Sequence, residues 1–257
     1  MNLALETHGL TRTFGDFTAV DGIDLAVPEG SLYGFLGPNG AGKSTTIKCL
    51  TGLLRPTKGE IRILGLDPLA DPVSMKRRVG VVPEDLALFD RLTGMENLSF
   101  VGRVHGLADA TFAQRTAELL ELMQLTDAAG TLVADYSHGM RKKLSLAAAF
   151  LPSPRLLFLD EPFEGIDAIS SRQIKRLLHE FVGRGGTVFL TSHVLEIVER
   201  LADQVGIIHR GKLVMQGAMA GLRAGDGAGR SLEEIFLSVV GAVGDVAMAG
   251  VLEWLGA

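Results

Sequence analysis

Gly37-Pro38-Asn39-Gly40-Ala41-Gly42-Lys43-Ser44-Thr45 decides how this chain is read. The stretch is a glycine, four free positions and then Gly-Lys-Ser, the spacing of a phosphate-binding loop. Gly37, Gly40 and Gly42, with Asn39 and Ala41 between them, let the backbone curl until successive N–H groups face one anion. Lys43 would reach the β- and γ-phosphates, and the hydroxyl of Ser44, next to Thr45, would ligate Mg²⁺.

Both flanks fit that reading. Ser31-Leu32-Tyr33-Gly34-Phe35-Leu36 is a short apolar run of the kind a buried strand requires. Residues 44–54 are helical in period, with Ile47, Leu50 and Leu54 on one face and Pro56 beyond the end. A helix that starts behind a glycine loop favours bound phosphate through its dipole and free N–H groups. A glycine-rich turn of chance composition would have neither flank.

Composition sets outer bounds. A chain of 257 residues allows one large domain or two small ones, with ample core. Hydrophobic residues at 47% and charged residues at 21% describe a globular protein, not a disordered one. A formal charge of -5 with no long basic run makes nucleic acid a poor partner. The short clusters Lys76-Arg77-Arg78 and Arg141-Lys142-Lys143 read as solvated helix faces. Cys49 is the only cysteine, so an intrachain disulfide is impossible and a small packed side chain is expected there. The N-terminus has no positively charged region before an apolar one, and no signal peptide is expected. Residues 235–257 are apolar, but Asp245, Glu253 and several glycines interrupt them, against a membrane span. A soluble, cytoplasmic chain is expected.

In chain order, Leu3-Ala4-Leu5-Glu6-Thr7 and Ile23-Asp24-Leu25-Ala26-Val27 alternate as half-buried strands do. Gly15-Asp16 and Pro28-Glu29-Gly30 are turn signals. Phe14 could stack on an adenine ring or pack in the core; spacing does not choose. Residues 60–64 are a further strand, and Asp71-Pro72 caps and opens a short helix. Val79-Gly80-Val81-Val82-Pro83-Glu84 is a buried strand with an acid at its C-terminal end. Residues 86–151 turn helical: 96–105 closed by Gly106, 111–123 behind an Asp109 cap, and 144–150 stopped by Pro152. A helical block between strands predicts a subdomain with its own packing.

Leu156-Leu157-Phe158-Leu159 then runs into Asp160-Glu161, a pattern for a parallel strand covered on both faces. Ligands of such sheets sit at the carboxyl ends of the strands, where these acids lie. Asp160 suits a Mg²⁺ role, directly or through water, and Glu161 can orient and deprotonate a water. Residues 170–182 read as helix closed by Gly183. Thr187-Val188-Phe189-Leu190-Thr191 is another buried strand, followed by Ser192-His193, whose imidazole can touch the γ-phosphate and the attacking water. Taken singly, an acidic loop and a surface histidine would be the plainer readings. Residues 205–209 and 213–216 flank a hairpin turn, 217–229 read as a linker, and Ser231-Leu232-Glu233-Glu234 is a capping box opening a last helix.

Together these motifs resemble the ATP-binding cassette superfamily over residues 3–241. Phe14 matches the adenine-stacking aromatic, residues 37–45 the phosphate loop, Asp160-Glu161-Pro162 the magnesium and catalytic-base strand end, and Gly165-Ile166-Asp167 the loop after it. Ser192-His193 matches the switch histidine and Tyr136-Ser137-His138-Gly139-Met140 the family signature. Two motifs depart. Tyr136, His138 and Met140 replace three residues of the commoner Leu-Ser-Gly-Gly-Gln, while Ser137 and Gly139, which would meet the γ-phosphate, remain. Glu84 stands where glutamine is common and still offers an oxygen to Mg²⁺ or water. Both departures resemble the branch serving drug, lipid, polysaccharide and antibiotic-resistance exporters.

The resemblance implies an α/β fold: a RecA-like P-loop NTPase core with an N-terminal antiparallel β-subdomain (1–85 and 156–217), an inserted α-helical signature subdomain (86–155), and a linker and helical tail (218–257). It implies ATP and Mg²⁺ as cofactors, with Ser44, Asp160 and Glu84 toward the metal and Glu161, His193 and Lys43 catalytic. ATP would lie between two head-to-tail cassettes, Ser137 of one capping the γ-phosphate held by Lys43 of the other. The second cassette would be a copy or a related chain. A separate membrane-spanning subunit would dock near residues 84–92, with Leu88 and Phe89 as apolar candidates, leaving this chain peripheral on the cytoplasmic membrane face. The rival is a soluble ATPase remodelling a ribosome or nucleic-acid complex, for which the single acidic cassette without heptads is a poor fit. A P-loop kinase or GTPase would lack the Ser137 signature and the Asp160-Glu161 pair.

Overall fold

The computed structural model describes residues 2–224 and 230–241. The chain begins β1 (Leu3–Phe14), β2 (Phe17–Ile23), β3 (Ala26–Pro28), β4 (Leu32–Leu36), α1 (Lys43–Leu50), β5 (Lys58–Ile63), α2 (Pro72–Lys76) and β6 (Val79–Val82). A helical stretch follows: α3 (Gly94–Val104), α4 (Asp109–Leu122) and α5 (His138–Phe150). The chain continues with β7 (Leu156–Asp160), α6 (Ala168–Gly183), β8 (Thr187–Ser192), α7 (Leu195–Leu201), β9 (Gln204–His209), β10 (Lys212–Ala218), α8 (Met219–Ala224) and α9 (Leu232–Val240).

β1 is the hub of an antiparallel sheet and pairs with β2, β3 and β5. The second sheet has six strands in the order β10-β9-β4-β8-β7-β6, parallel except for β10 at the edge. Every residue of β4, β7 and β8 is buried, which is why the centres of these strands read as apolar runs and not as alternation. Their carboxyl ends lie side by side, so the loop after β4, the acids ending β7 and the histidine after β8 are brought to one edge.

Two cores hold this edge in place. Between the sheets, Phe189 of β8 stacks on Tyr33 with centroids 5.4 Å apart and also meets Phe35 and Phe158. Burying a large apolar side chain is worth ~1.5–3 kcal/mol relative to leaving it exposed. The other face of the parallel sheet is covered by helices through Leu98, Leu120, Leu144, Ile174 and Val198. α5 sits directly on β6: a Cβ on Gly80 would lie 2.4 Å from the Ala149 carbonyl oxygen. Cys49 is buried as expected, and desolvation raises its thiol to about 11 against a smaller opposing pull from Arg12.

The structure corrects several boundaries. Ile23 to Val27 is not one strand: β2 stops at Ile23, and Asp24 turns the chain by accepting the Gly9 N–H at 2.6 Å. The first strand runs on to Phe14. α1 ends at Leu50 because Gly52 takes a φ of 72°, so Leu54 packs from the following loop. α3 starts earlier, at Gly94, behind a capping box of Thr93 and Glu96. Asp109 is the first residue of α4 and not its cap. α5 begins at His138, its polar first turns having hidden it. Gly183 is the last residue of α6, and the stop comes at Gly185. Met219–Ala224 is helix where a linker was expected; residues 225–229 and the tail 242–257 lie outside the described residues. The capping box at Ser231 and Glu234 is present.

The reading of Lys142 as a solvated side chain is overturned. It is 1% exposed, because it points from α5 toward the sheet and not away from it. Among the described residues no helix is long and apolar enough to cross a membrane.

Candidate functional site

α1 can start at Lys43 because Gly42 takes a φ of 111°, a left-handed conformation in which a Cβ would stand 2.5 Å from the Ala19 carbonyl oxygen. The side chain of Lys43 is buried. Its Nζ donates to the Gly37 carbonyl at 2.7 Å and the Pro38 carbonyl at 3.3 Å, and lies 3.7 Å from Glu161 Oε1. The loop therefore holds its own lysine through its backbone carbonyls.

Opposite the loop, β7 ends in the acid pair. Thr191, paired with Asp160 in register, donates its hydroxyl to Asp160 Oδ1 and accepts the Glu161 N–H at 3.1 Å. One hydroxyl thus aligns both acids. Glu161 has a φ of 47°, left-handed for a residue with a side chain, a strain of order 1–3 kcal/mol. That conformation sets its carboxylate between Lys43 and His193, whose Nδ1 is 3.1 Å from Oε2. Strain kept at such a position fits a group whose aim matters more than its comfort.

Asn39, Lys43, Ser44, Glu84, Glu161 and His193 border one cavity of about 440 Å³. Ser44 donates to Glu84 Oε2 at 3.2 Å. Among the described residues no group of three or more His, Cys, Asp or Glu side chains is arranged to hold a metal by itself. Ser44, Glu84 and Asp160 are hard oxygen donors, which fits Mg²⁺ shared with nucleotide phosphates and not a closed protein cage.

Other residues singled out in the sequence lie elsewhere. Phe14 does not border the cavity; it is 42% exposed, with the Arg12 guanidinium 4.4 Å above its ring. Its partner across the hairpin, Phe17, does border the cavity and is 63% exposed. Phe17 escaped the sequence reading because both aromatics flank the same turn and only the hairpin's register separates them. Thr191 escaped as well, although a hydroxyl inside an otherwise apolar strand was a visible signal.

Ser137 caps α5 by accepting the Met140 N–H at 3.2 Å, and neither it nor Gly139 borders the Lys43 cavity of its own chain. Two of the unusual signature residues beside them, Tyr136 and His138, fill space left by glycines. Tyr136 is buried, donates its hydroxyl to the Ala128 carbonyl at 2.7 Å, and occupies space left by Gly94, where a Cβ would lie 2.3 Å from the hydroxyl oxygen. His138 lies over Gly165, where a Cβ would stand 2.4 Å from Cδ2.

The family model described as ABC transporter matches residues 20–164, more than half of the chain. The chain belongs to that family.

The daunorubicin/doxorubicin resistance ATP-binding protein DrrA of Streptomyces peucetius is 42% identical to this cassette over 225 residues, covering 88% of this chain and 68% of DrrA. The bacitracin transport ATP-binding protein BcrA of Bacillus licheniformis is 39% identical over 215 residues, covering 83% and 69%. A solved ATP-binding subunit of an ABC transporter superposes with a TM-score of 0.87 at 31% identity, over 93% of this chain and 99% of that one. The cassette is an ATP-binding subunit whose reaction is ATP hydrolysis.

Proposed function

We propose that this cassette powers an exporter: two cassettes close head to tail on ATP, and closure moves a membrane-spanning partner. The observation that carries the reading is the convergence of Lys43, Glu161 and His193 in one cavity from which Ser137, exposed at the start of α5, is left out. A second cassette would complete the site with its own Ser137 and Gly139. Lys43 and the loop N–H groups of residues 37–45 bind the phosphates. Glu161 takes the proton of the attacking water, and His193 orients that water and the γ-phosphate. Ser44, Glu84 and Asp160 would hold Mg²⁺, whose chemistry there would be to neutralise charge on the phosphoryl oxygens. The adenine would rest on Phe17, the hairpin aromatic that borders the cavity.

For the partner, a groove of about 410 Å³ lies between the sheet and the helical block, lined by Leu53, Leu88, Phe89, Phe100, Val101 and Ala148. Phe89 and Phe100 meet edge to face with centroids 4.9 Å apart, yet are 50% and 47% exposed. Such a rigid apolar pair suits an amphipathic helix laid into the groove. Docking there would hold the cassette peripherally at the cytoplasmic membrane face. The relatives' names, drug resistance and bacitracin transport, support export.

Co-expression with the cognate membrane protein is expected to yield a stable complex with a raised ATPase rate. Tight, sequence-selective RNA or DNA binding with no membrane partner would instead favour a remodelling ATPase. Glu84 gives a second test. Glu84→Gln keeps an oxygen acceptor and should stay active, whereas Glu84→Ala should lose more transport than basal hydrolysis in reconstituted vesicles. Equal transport by the parent and Glu84→Ala would make Glu84 a mere loop acid.

A further inference from the structure

Lys142 takes no part in the chemistry described above. A lysine is almost never buried to this degree unless its charge is compensated, and Lys142 is 1% exposed. The surroundings of α5 locate it. Ala149, two turns on, backs onto Gly80 of β6, and Gly139, one turn earlier, faces the Gly165 carbonyl. Lys142 therefore lies behind the ends of β6 and β7, the segments that lead to Glu84 and to Asp160, Glu161 and Glu164. Desolvation pulls its pKa down, and the charges of Glu164, Asp160, Glu161 and Glu84 push back. A buried charge with no neutralising field would be costly enough to be excluded; here the field comes from those carboxylates.

That field poses a problem for the cavity, which must admit a polyphosphate past Glu84, Glu161 and Glu164 on its wall. We propose that Lys142 is the internal counter-charge of this acid cluster, a positioning residue that makes the cavity receptive to a polyanion before a divalent cation arrives. The inference rests on the cavity being the nucleotide site.

The charge of the ligand tests it. Metal-free ADP carries about -3 and Mn·ADP about -1, and a Coulomb term scales with that charge. Loss of Lys142's charge should therefore cost about three times as much, in logarithm of affinity, for the metal-free form. For Lys142→Met, ADP affinity measured by calorimetry should fall roughly thirtyfold in EDTA but only about threefold in saturating Mn²⁺. Lys142→Arg should hold both affinities near the parent's. Glu164→Gln, at an exposed position, should do the reverse and tighten metal-free ADP more than Mn·ADP; it also serves if Lys142→Met does not fold. A packing defect would weaken both ligands alike. Equal losses for the two forms in Lys142→Met, or no asymmetry in Glu164→Gln, would overturn the proposal. A parent that binds neither form would overturn the nucleotide reading itself.

Discussion

Glu161→Gln is expected to lower steady-state ATP hydrolysis by ~10²–10⁴-fold, the usual worth of a general base, while ATP still binds. The geometry makes this a clean substitution. The carboxylate sits between Lys43, 3.7 Å away, and His193, 3.1 Å away. Glutamine keeps the length and one acceptor oxygen, and it meets the same left-handed backbone, so the fold and the hydrogen bond from the Glu161 N–H to Thr191 should survive. Only the basicity is removed. The measurement pairs ATPase rate with equilibrium binding of ATP. Turnover within a few-fold of the parent would take Glu161 out of the base role.

The other large effect comes from two substitutions that fail separately and recover together. Lys43, at the start of α1, is tied by its side chain to the loop after β4, while Ser137 stands outside that cavity at the start of α5. If each site is completed by the other cassette, Lys43→Ala and Ser137→Arg homodimers should each be nearly inactive. A donor lost from a site that stabilises transition-state charge costs ~10²–10³ in rate. In a mixed dimer both lesions fall at one interface and the other is intact. ATPase rate plotted against mixing ratio should then rise toward one working site per mixed dimer, with subunit exchange confirmed separately. A crosslink between positions 43 and 137 should form only between chains. Its appearance within single chains alone would end the head-to-tail arrangement.

Much of this site was legible before any coordinates. The phosphate loop was plain because its glycines answer to backbone geometry, and geometry leaves a spacing in the sequence. β7 and β8 were plain because strands buried on both faces carry continuous apolar centres. What escaped depended on direction and register. Ile23 and Leu25 alternate correctly and are both buried, but the carboxylate of Asp24 is used by the Gly9 N–H, and the strand breaks there. Lys142 sits in a basic triplet that looks like solvent-facing charge; only the rotation of α5 on β6 turns it inward. Which of Phe14 and Phe17 borders the cavity depends on the pairing of β1 with β2, which carries register shifts that no periodicity announces.

The contact between Tyr136 and Gly94 bears on how relatives should be compared. The tyrosine hydroxyl occupies the volume that any side chain at 94 would need, so the two positions cannot drift independently. A lineage that exchanges Tyr136 for the commoner leucine frees position 94 to accept alanine, and one that acquires a side chain at 94 first must give up the tyrosine. Glycine at 94 suits either residue at 136, so the pair changes by single steps only in one order, position 136 before position 94.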